Sequence, residues 1–362
     1  MAGIEFEKIP HKSPTPADKR AALMAEPGFG KVFSDHMVTI KWNPEQGWHE
    51  AQVRAREPFQ IDPAAAVLHY AQEIFEGMKA YRLPDGGFSL FRPEQNARRL
   101  NDSAVRLAMP EIPEEVFVQA VEELVKADAD WVPSDEGGSY YLRPFMFASE
   151  AFLGVRPANE YIFCVIGCPV GAYFKGGFKT VSVWVSEEYS RAAPGGTGAA
   201  KCGGNYAASL SATKEAFANG CDQVVFLDAV ERKWIDELGG MNVFFVMDDK
   251  TIVTPKLGTI LPGITRASII KLAEEAGYTV KEELYSFDQW QADARSGKMR
   301  EAFACGTAAV VAGIGKVKYR GGEFAIGNSG DGEVTTQLRA KLTGIQRGTV
   351  QDDYGWSRKV AA

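Results

Sequence analysis

Pro194-Gly195-Gly196-Thr197-Gly198-Ala199-Ala200-Lys201-Cys202-Gly203-Gly204 is the most distinctive stretch of the sequence. It departs from the phosphate-binding P-loop pattern, because Ala200 replaces the second glycine and Cys202 replaces the Ser or Thr that binds magnesium. What remains is Lys201 among small residues, which let a flat, bulky group come close to its amine. A lysine amine can form a Schiff base with a carbonyl cofactor, especially when burial lowers its pKa. Burial statistics alone favour a solvated lysine on a loop.

Three further segments are weak signals when each is taken alone. The run 261–266 places a glycine turn before a helix, whose free backbone N–H groups suit a phosphate. The run 236–242 places a carboxylate beside two glycines, where a buried acid could keep a pyridine nitrogen protonated. Tyr141 and Arg143 share one face of a strand, a pair that suits a substrate with an apolar body and a carboxylate. Each segment also has a simpler interpretation. The run 261–266 could be an ordinary helix start, the acid in 236–242 could lie on the surface, and Arg143 could form a salt bridge on an edge strand.

Composition limits the classes of partner. The chain has 362 residues and a formal net charge of −7, which argues against nucleic acid or an anionic membrane as the main partner. The five cysteines form no CxxC pair, so we expect no metal site and reduced thiols, as in a cytoplasm. The first residues have no apolar segment typical of a secretory signal, and Glu5 and Glu7 argue against a transit peptide. No stretch is long enough to predict a membrane span.

The order of helical and strand patterns predicts a mixed α/β or α+β fold with two domains. Strands are expected around 33–48, 87–91, 140–142, 161–166, 181–185, 223–227 and 242–247. A helix is expected from Asp62-Pro63, with apolar residues at 67, 70, 74 and 78 and Gly77 as its C-cap. Further helices are expected from Pro93, Pro113, Tyr206 and the loop 261–263. The predicted layout is an extended arm over 1–20, a small domain over 21–173, a connection and first strand over 174–190, and a large domain over 191–362.

Taken together, short stretches along the chain resemble those of the branched-chain amino acid aminotransferases, which are pyridoxal 5'-phosphate enzymes of fold type IV. Each stretch is weak alone, but their order and spacing are specific, and they cover the chain from about Gly28 to its end. The matching stretches are 33–37, 75–80, 90–93, 141–144, 171–174, 201–206, 237–242, 261–266 and 306–308. The resemblance implies a smaller N-terminal α/β domain and a larger C-terminal pseudo-barrel domain.

The resemblance also implies a role for each matching residue. Lys201 would hold the cofactor as a Schiff base and, once released, carry the proton between substrate and cofactor. Glu237 would pair with the pyridine nitrogen and Tyr206 with the phenolic oxygen. The residues implied to hold the cofactor phosphate are Arg99, Ile264, Thr265 and Thr307. Those implied to line the substrate pocket are Phe29, Tyr70, Tyr141 and Tyr173, with Tyr70 and the backbone at Thr307 and Ala308 receiving the α-carboxylate. Arg143 would meet the second carboxylate of glutamate.

The implied reaction is transamination between leucine, isoleucine or valine and 2-oxoglutarate, in a cytoplasmic homodimer of the bacterial kind. Two positions depart from the family pattern. Gly240 stands where threonine is common, and Ala309 and Ala312 stand where mammalian members carry a CxxC centre. Within the same fold class, a D-amino-acid aminotransferase and an aminodeoxychorismate lyase are the alternatives. A non-catalytic binding module is the alternative from a different class, which the set of Lys201, Glu237 and Arg99 disfavours.

Overall fold

The computed structural model describes residues 4–135, 137–171 and 180–360. The described strands are β1 Glu7–Lys8, β2 His36–Asn43, β3 Gly47–Ala55, β4 Glu73–Phe75, β5 Met78–Arg82, β6 Phe88–Phe91, β7 Ser139–Ala148, β8 Tyr161–Val170, β9 Val181–Ser186, β10 Gln223–Leu227, β11 Ile235–Leu238, β12 Asn242–Met247, β13 Thr251–Thr254, β14 Thr279–Glu282, β15 Met299–Gly306, β16 Val310–Tyr319, β17 Gly322–Ala325 and β18 Ser357–Val360. The described α-helices are α1 Ala17–Ala25, α2 Ala66–Tyr70, α3 Pro93–Arg106, α4 Glu114–Ala127, α5 Gly203–Ala208, α6 Leu210–Ala218, α7 Ile264–Glu275, α8 Phe287–Ser296 and α9 Glu333–Gln346. The mixture of helices and strands confirms the predicted α/β class.

The chain forms two compact units. The first comprises Met1–Tyr173, Ala200–Gly203 and Ile345–Ala362, and the second comprises Phe174–Ala199 and Gly204–Gly344. The layout predicted from the sequence assigns 191–362 to one domain, whereas the structure places two pieces of that range in the first unit. The C-terminal piece belongs there because β18 pairs with β6 in antiparallel register. Within the predicted arm of 1–20, β1 pairs with β3 and α1 already begins at Ala17.

The first unit is built on a sheet in the order β1-β3-β2-β8-β7-β5-β6-β18, with β4 paired to β7. Helix α4 begins after Pro113, and its first turn is acidic, which suits the positive end of the helix dipole. Its residues Phe117, Val121 and Leu124 repeat at helical spacing and are fully buried in the core of this unit. Helix α3 also buries a polar stripe, formed by Asn96, Arg99 and Ser103. This stripe supplies side chains to the site described below.

The helix predicted from residue 62 through 78 is wrong beyond Tyr70. Helix α2 ends at Tyr70, and the next residue, Ala71, has a left-handed backbone with φ of 49°. The next residues form β4 and β5, which pair with β7. Apolar residues at 74 and 78 fit a helical period, but Ile74 and Phe75 also favour a strand, and the pairing with β7 decides between them. Gly77 therefore lies between two strands and is not a helix cap.

The second unit is built on a sheet in the order β11-β10-β9-β16-β15-β12-β13-β14, with β17 paired to β16. Parallel pairs occur between β9 and β10, β9 and β16, and β13 and β14. Helix α6 buries Ala212 and Ala216 against Trp184 of β9 and Phe226 of β10. The predicted single helix over 206–219 is divided into α5 and α6 in the structure.

Two absences concern the described residues alone. None of the helices in 4–135, 137–171 and 180–360 is both long and apolar enough to cross a membrane. In the same ranges, no three His, Cys, Asp or Glu side chains gather in a way that could hold a metal ion.

Candidate active site

Lys201 is held on both sides by the first unit. Its backbone N–H donates to the Ser103 hydroxyl of α3 at 2.9 Å, and its carbonyl accepts from the Phe75 N–H of β4 at 2.9 Å. Two residues later, the N–H of Gly203 donates to the carboxylate of Glu73. The lysine is thus on a short segment fixed by three hydrogen bonds, and its ammonium lies 4.8 Å from the centroid of the Phe75 ring. Such fixation restricts where the amine can go.

The surroundings of Lys201 favour a reactive amine. Burial, assisted by the nearby guanidinium of Arg99, lowers the pKa of Lys201 to about 8, although the carboxylate of Glu76 opposes the shift. A lysine with this pKa carries a much larger neutral fraction near pH 8 than an ordinary lysine does. The neutral amine is the form that attacks a carbonyl carbon. The predicted role of Lys201 as a Schiff-base residue requires such an amine.

Arg99 lies in a buried ion pair close to the lysine. Its Nε and Nη2 donate to the two carboxylate oxygens of Glu76 at 2.7 and 2.8 Å, and Asn96 donates to the same carboxylate at 2.7 Å. Burial would raise the pKa of Glu76, but the charges of Arg99 and Lys201 hold this pKa below its ordinary value. The bidentate pair fixes the plane of the guanidinium. Any phosphate at Arg99 would thus meet a group that Glu76 has already oriented.

An aromatic and cationic cluster surrounds Phe75. The Arg143 guanidinium lies 4.7 Å from the Phe75 ring centroid, and its Nη2 donates to the Tyr141 hydroxyl at 3.1 Å. Phe29 meets Tyr141 edge to face with 5.0 Å between ring centroids. The structure thus brings Phe29, Tyr141 and Arg143 together. The hydroxyl of Tyr70, the other predicted pocket residue of this unit, donates to the carbonyl of Leu153.

One predicted pocket residue lies outside the described residues. It is Tyr173, which falls in the segment 172–179.

Glu237 is the central acid of the second unit. It lies on β11, is only 2% exposed, and accepts from the Leu261 N–H at 2.9 Å and from Asn242 Nδ2 at 3.2 Å. Arg191 forms an ion pair with it at 2.9 Å. Three donors thus face this one buried carboxylate. A carboxylate kept charged and out of water is the group needed to hold a pyridine nitrogen in its protonated form.

The other predicted cofactor residues of this unit lie near Glu237 through shared contacts. Asn242 also donates to the Leu261 carbonyl at 3.0 Å, which ties β12 to the loop before α7. That helix begins at Ile264 and Thr265, after Gly263, so its first backbone N–H groups have no partner within the helix. A side chain at Gly263 would collide with Asn242, which explains the glycine. The N-terminus of α7 therefore suits an anion.

Tyr206, Thr307 and Ala308 are brought to the same region by glycines. A Cβ atom built at Gly240 would lie 3.8 Å from Cε1 of Tyr206, an ordinary contact. A Cβ atom at Gly306 would lie 3.4 Å from the Gly240 carbonyl oxygen, so the strand end before Thr307 and Ala308 is close to Gly240. The missing threonine at position 240 thus leaves space beside Tyr206.

Several contacting residues were missed by the sequence reasoning. These residues contact the predicted site residues, but they do not belong to a recognisable catalytic motif. The sequence pointed to some of them only because they lie in the family-like stretches 75–80 and 237–242. They are Glu73, Phe75, Glu76, Asn96, Ser103, Arg191 and Asn242.

Comparisons with known proteins agree with the resemblance stated above. The family model described as amino-transferase class IV matches residues 73–317. A protein of Streptomyces coelicolor named a probable branched-chain-amino-acid aminotransferase is 55% identical, over 100% of each chain. The structure of the Escherichia coli branched-chain amino acid aminotransferase is 28% identical with a TM-score of 0.75, covering 90% of this chain and 99% of that one. The structure of the Thermobaculum terrenum branched-chain amino acid aminotransferase in its PLP form is 26% identical with a TM-score of 0.70, covering 89% and 98%.

Proposed function

The chain belongs to the class IV aminotransferase family, as a branched-chain amino acid aminotransferase, and we propose that Lys201 and Glu237 are the residues that carry its chemistry. It transfers an amino group between leucine, isoleucine or valine and 2-oxoglutarate, and its cofactor is pyridoxal 5'-phosphate. The bound cofactor stores the amino group and withdraws electrons from the substrate Cα. Side chains of the protein bind the cofactor and transfer the proton. The fixed position of Lys201, on a segment held by three hydrogen bonds, is the observation that carries the proposal, and burial lowers the pKa of its amine to about 8.

The described residues fit this cofactor. Lys201 supplies an amine for the aldehyde carbon, and the buried carboxylate of Glu237 supplies a partner for the ring nitrogen. The first turn of α7, at Ile264 and Thr265, supplies N–H groups for the phosphate. We assign Arg99 and Thr307 to the phosphate as well, and Tyr206 to the phenolic oxygen. Support for these last assignments comes from the sequence pattern, together with the charge of Arg99 and the position of Tyr206 beside Gly240.

In the proposed mechanism, the amine of Lys201 would accept the proton from the substrate Cα and hold it for return once the bound cofactor has taken up the amino group. Its pKa suits both directions, because the best acid–base group has a pKa near the working pH. Glu237 would keep the ring nitrogen of the bound cofactor protonated, and Arg191 and Asn242 hold its carboxylate in place. The phenyl ring of Phe75 restricts the path of the lysine amine.

Recognition of two different substrates is assigned to the aromatic and cationic cluster. Phe29 and Tyr141, which meet edge to face, are assigned to the apolar surface for the branched side chain. Tyr70 and Tyr173 are assigned to the same pocket from the sequence resemblance. Tyr70 and the backbone at Thr307 and Ala308 receive the α-carboxylate. Arg143 meets the second carboxylate of glutamate, and its bond to the Tyr141 hydroxyl holds the guanidinium aside when the substrate is apolar.

A homodimer is the proposed assembly. Four large apolar residues of the first unit are exposed in the single chain: Leu68, Tyr70, Leu153 and Val155. The Tyr70 hydroxyl joins two of their segments by donating to the Leu153 carbonyl. The side chain of Val155 is 88% exposed, which is costly for a valine in water. Large exposed apolar patches mark interaction sites, and closed two-fold pairing is the commonest assembly of soluble chains. A second copy of this chain is therefore the proposed occupant of the surface.

The cytoplasm is the proposed location of the enzyme. All five cysteines are buried free thiols, which agrees with a reducing compartment.

The test of the assigned chemistry is Lys201→Ala, with Lys214→Ala on the exposed side of α6 as a matched control. Removing the amine should lower the rate of leucine:2-oxoglutarate transamination by at least roughly a hundredfold, the usual worth of a positioned acid–base group. The control should keep the normal rate. Assays with L- and D-amino acids distinguish the branched-chain reaction from that of a D-amino-acid aminotransferase. Near-normal turnover by Lys201→Ala would refute the assignment.

A further inference from the structure

The short strand β4 holds the lysine segment from two directions. The backbone N–H of Phe75 donates to the Lys201 carbonyl at 2.9 Å, and the carboxylate of Glu73 accepts from the Gly203 N–H. Glu73 and Phe75 are two residues apart on a strand, so their side chains lie on the same face. One three-residue strand thus contacts the chain immediately before and after Cys202. Strand β4 therefore supports the backbone segment that carries Lys201.

The carboxylate of Glu73 packs directly against Gly203. A Cβ atom built at Gly203 would overlap the Oε1 atom of Glu73. The carboxylate therefore occupies the space that any larger residue at 203 would need. Glu73 is half-buried, and burial raises its pKa although the Gly203 N–H and Arg143 oppose the shift. The cost of burying this carboxylate must be offset by what it holds.

Glu73 also interacts electrostatically with Arg143. The positive charge of Arg143 is one of the influences that stabilise the ionised carboxylate. Phe75 pairs with Phe145 and Glu73 with Phe147 on β7, so Glu73, Phe75 and Arg143 lie on one face of the sheet. The Arg143 guanidinium lies 4.7 Å from the centroid of the Phe75 ring on that face. A negative charge near a guanidinium weakens the attraction of that guanidinium for another anion. A dicarboxylate substrate that reaches Arg143 therefore does so against the field of Glu73.

We propose that Glu73 is a positioning and specificity-determining residue of this aminotransferase. Its carboxylate fixes the segment that carries Lys201, through the Gly203 N–H. Its negative charge opposes the second carboxylate of glutamate at Arg143, so it sets the balance between glutamate and the branched-chain amino acids. The charge effect rests on the proposed function of Arg143, whereas the effect on the lysine segment rests on the hydrogen bond alone.

Two substitutions separate the two effects. Glu73→Gln keeps an acceptor oxygen for the Gly203 N–H but removes the charge, whereas Glu73→Ala removes both. Asp85→Asn is the matched control, because Asp85 also accepts a glycine N–H, from Gly87, but lies exposed in the turn between β5 and β6. Dissociation constants are measured on the cofactor-loaded proteins for two unreactive acids, glutarate and 4-methylvalerate. Only glutarate has the second carboxylate.

Glu73→Gln should tighten glutarate binding by roughly threefold to tenfold and leave 4-methylvalerate binding unchanged, because only the former meets Arg143. In Glu73→Ala, hydrogen exchange at the Gly203 amide should quicken by at least about tenfold, and kcat should fall with leucine and glutamate alike. Glu73→Gln should keep normal exchange at Gly203, and the Asp85→Asn control should change none of these quantities.

An unchanged ratio of glutarate to 4-methylvalerate affinity in Glu73→Gln would overturn the charge effect. Unchanged exchange at Gly203 in Glu73→Ala would overturn the positioning role. If Arg143→Ala leaves glutarate binding unaltered, the assignment of Arg143 fails, and the charge effect fails with it. The exchange measurement still decides the positioning role in that case, so the two failures are distinguishable.

Discussion

At the scale of single residues, Arg143 illustrates how one side chain can serve two substrates. Its guanidinium is stacked on Phe75 and bonded to the Tyr141 hydroxyl, so it has partners when no second carboxylate is present. An arginine that kept a buried charge without such contacts would destabilise the apolar substrate complex. The proposed pocket therefore gives the cation alternative partners.

Arg143→Ala should raise KM for glutamate and 2-oxoglutarate far more than KM for leucine. A lost hydrogen bond to a charged group is worth about 1.5–3 kcal/mol, which corresponds to roughly a tenfold to hundredfold change in affinity. Steady-state kinetics with both amino acids measure the effect. Arg320→Ala, in a surface ion pair with Glu188, is the control. Equal losses for leucine and glutamate would make Arg143 a structural residue only.

The pKa of Lys201 leads to a pH prediction. A lysine is protonated below its pKa and reactive above it, and this pKa is lowered from 10.5 to about 8. In protein freed of cofactor, acylation of Lys201 should therefore rise through about pH 8 and level off by about pH 9. Mass spectrometry of the labelled peptide gives the profile, with a lysine in an unstructured peptide as the reference. A profile that keeps rising to about pH 10.5, the ordinary lysine pKa, would contradict the lowered pKa.

The sequence predicts most of the groups that the proposal assigns to the chemistry, but not the groups that contact them. Lys201 and Glu237 stand out because they lie in unusual glycine-rich runs. Glu73, Glu76 and Arg191 do not, because an acid or arginine in an ordinary stretch says nothing about its partner. Glu76 meets Arg99 only when β4 and α3 come together, and the two residues are 23 positions apart.

At the scale of secondary-structure elements, prolines predict where helices begin, and periodic apolar residues predict where several helices and strands lie. Helices α3 and α4 begin near Pro93 and Pro113 as expected, and the strands around 181–185, 223–227 and 242–247 are present. The sequence does not predict the short strand β4, because three residues are too few to show the alternation of apolar and polar residues that is typical of a strand. Its structure is determined by pairing with β7, which lies about seventy residues later.

The glycine between β4 and β5 allows a close approach that can be tested. A Cβ atom at Gly77 would collide with the Tyr141 hydroxyl. Gly77→Ala should therefore destabilise the protein by about 1–3 kcal/mol, as overpacking does, and should raise KM for leucine by moving Tyr141. Chemical denaturation and steady-state kinetics measure the two effects.

The combination Gly77→Ala with Tyr141→Phe serves as the control for this prediction. Removing the hydroxyl removes the atom closest to the new methyl group, so the double variant should lose less stability than the two single variants added together. Strict additivity, or a Gly77→Ala protein as stable as the wild type, would show that the close approach is not important.

At the scale of the whole molecule, the chain leaves its first unit and returns to it twice. The sequence indicated one change of composition around 171–177, and a single boundary was the natural inference. It could not show that the lysine segment 200–203 or the C-terminal residues 345–362 belong with the N-terminal part. Long-range strand pairing, such as β18 on β6, leaves no mark in local composition.

The last prediction concerns the proposed dimer. If Leu68, Tyr70, Leu153 and Val155 are covered by a second copy, then Val155→Asp places a charge in an apolar interface. The dimer dissociation constant should rise by at least roughly tenfold, and specific activity should fall on dilution and recover on concentration, because Tyr70 belongs to the proposed substrate pocket.

Val230→Asp is the matched control, since Val230 is also a strongly exposed valine but lies in the second unit. Sedimentation velocity and activity are measured over the same concentration range. A wild-type monomer with full activity would contradict the proposal. A Val155→Asp protein that dissociates and loses activity would support it, provided that the Val230→Asp control keeps both its dimeric state and its activity. In that case the loss comes from the changed surface around Val155 and not from an added charge in general.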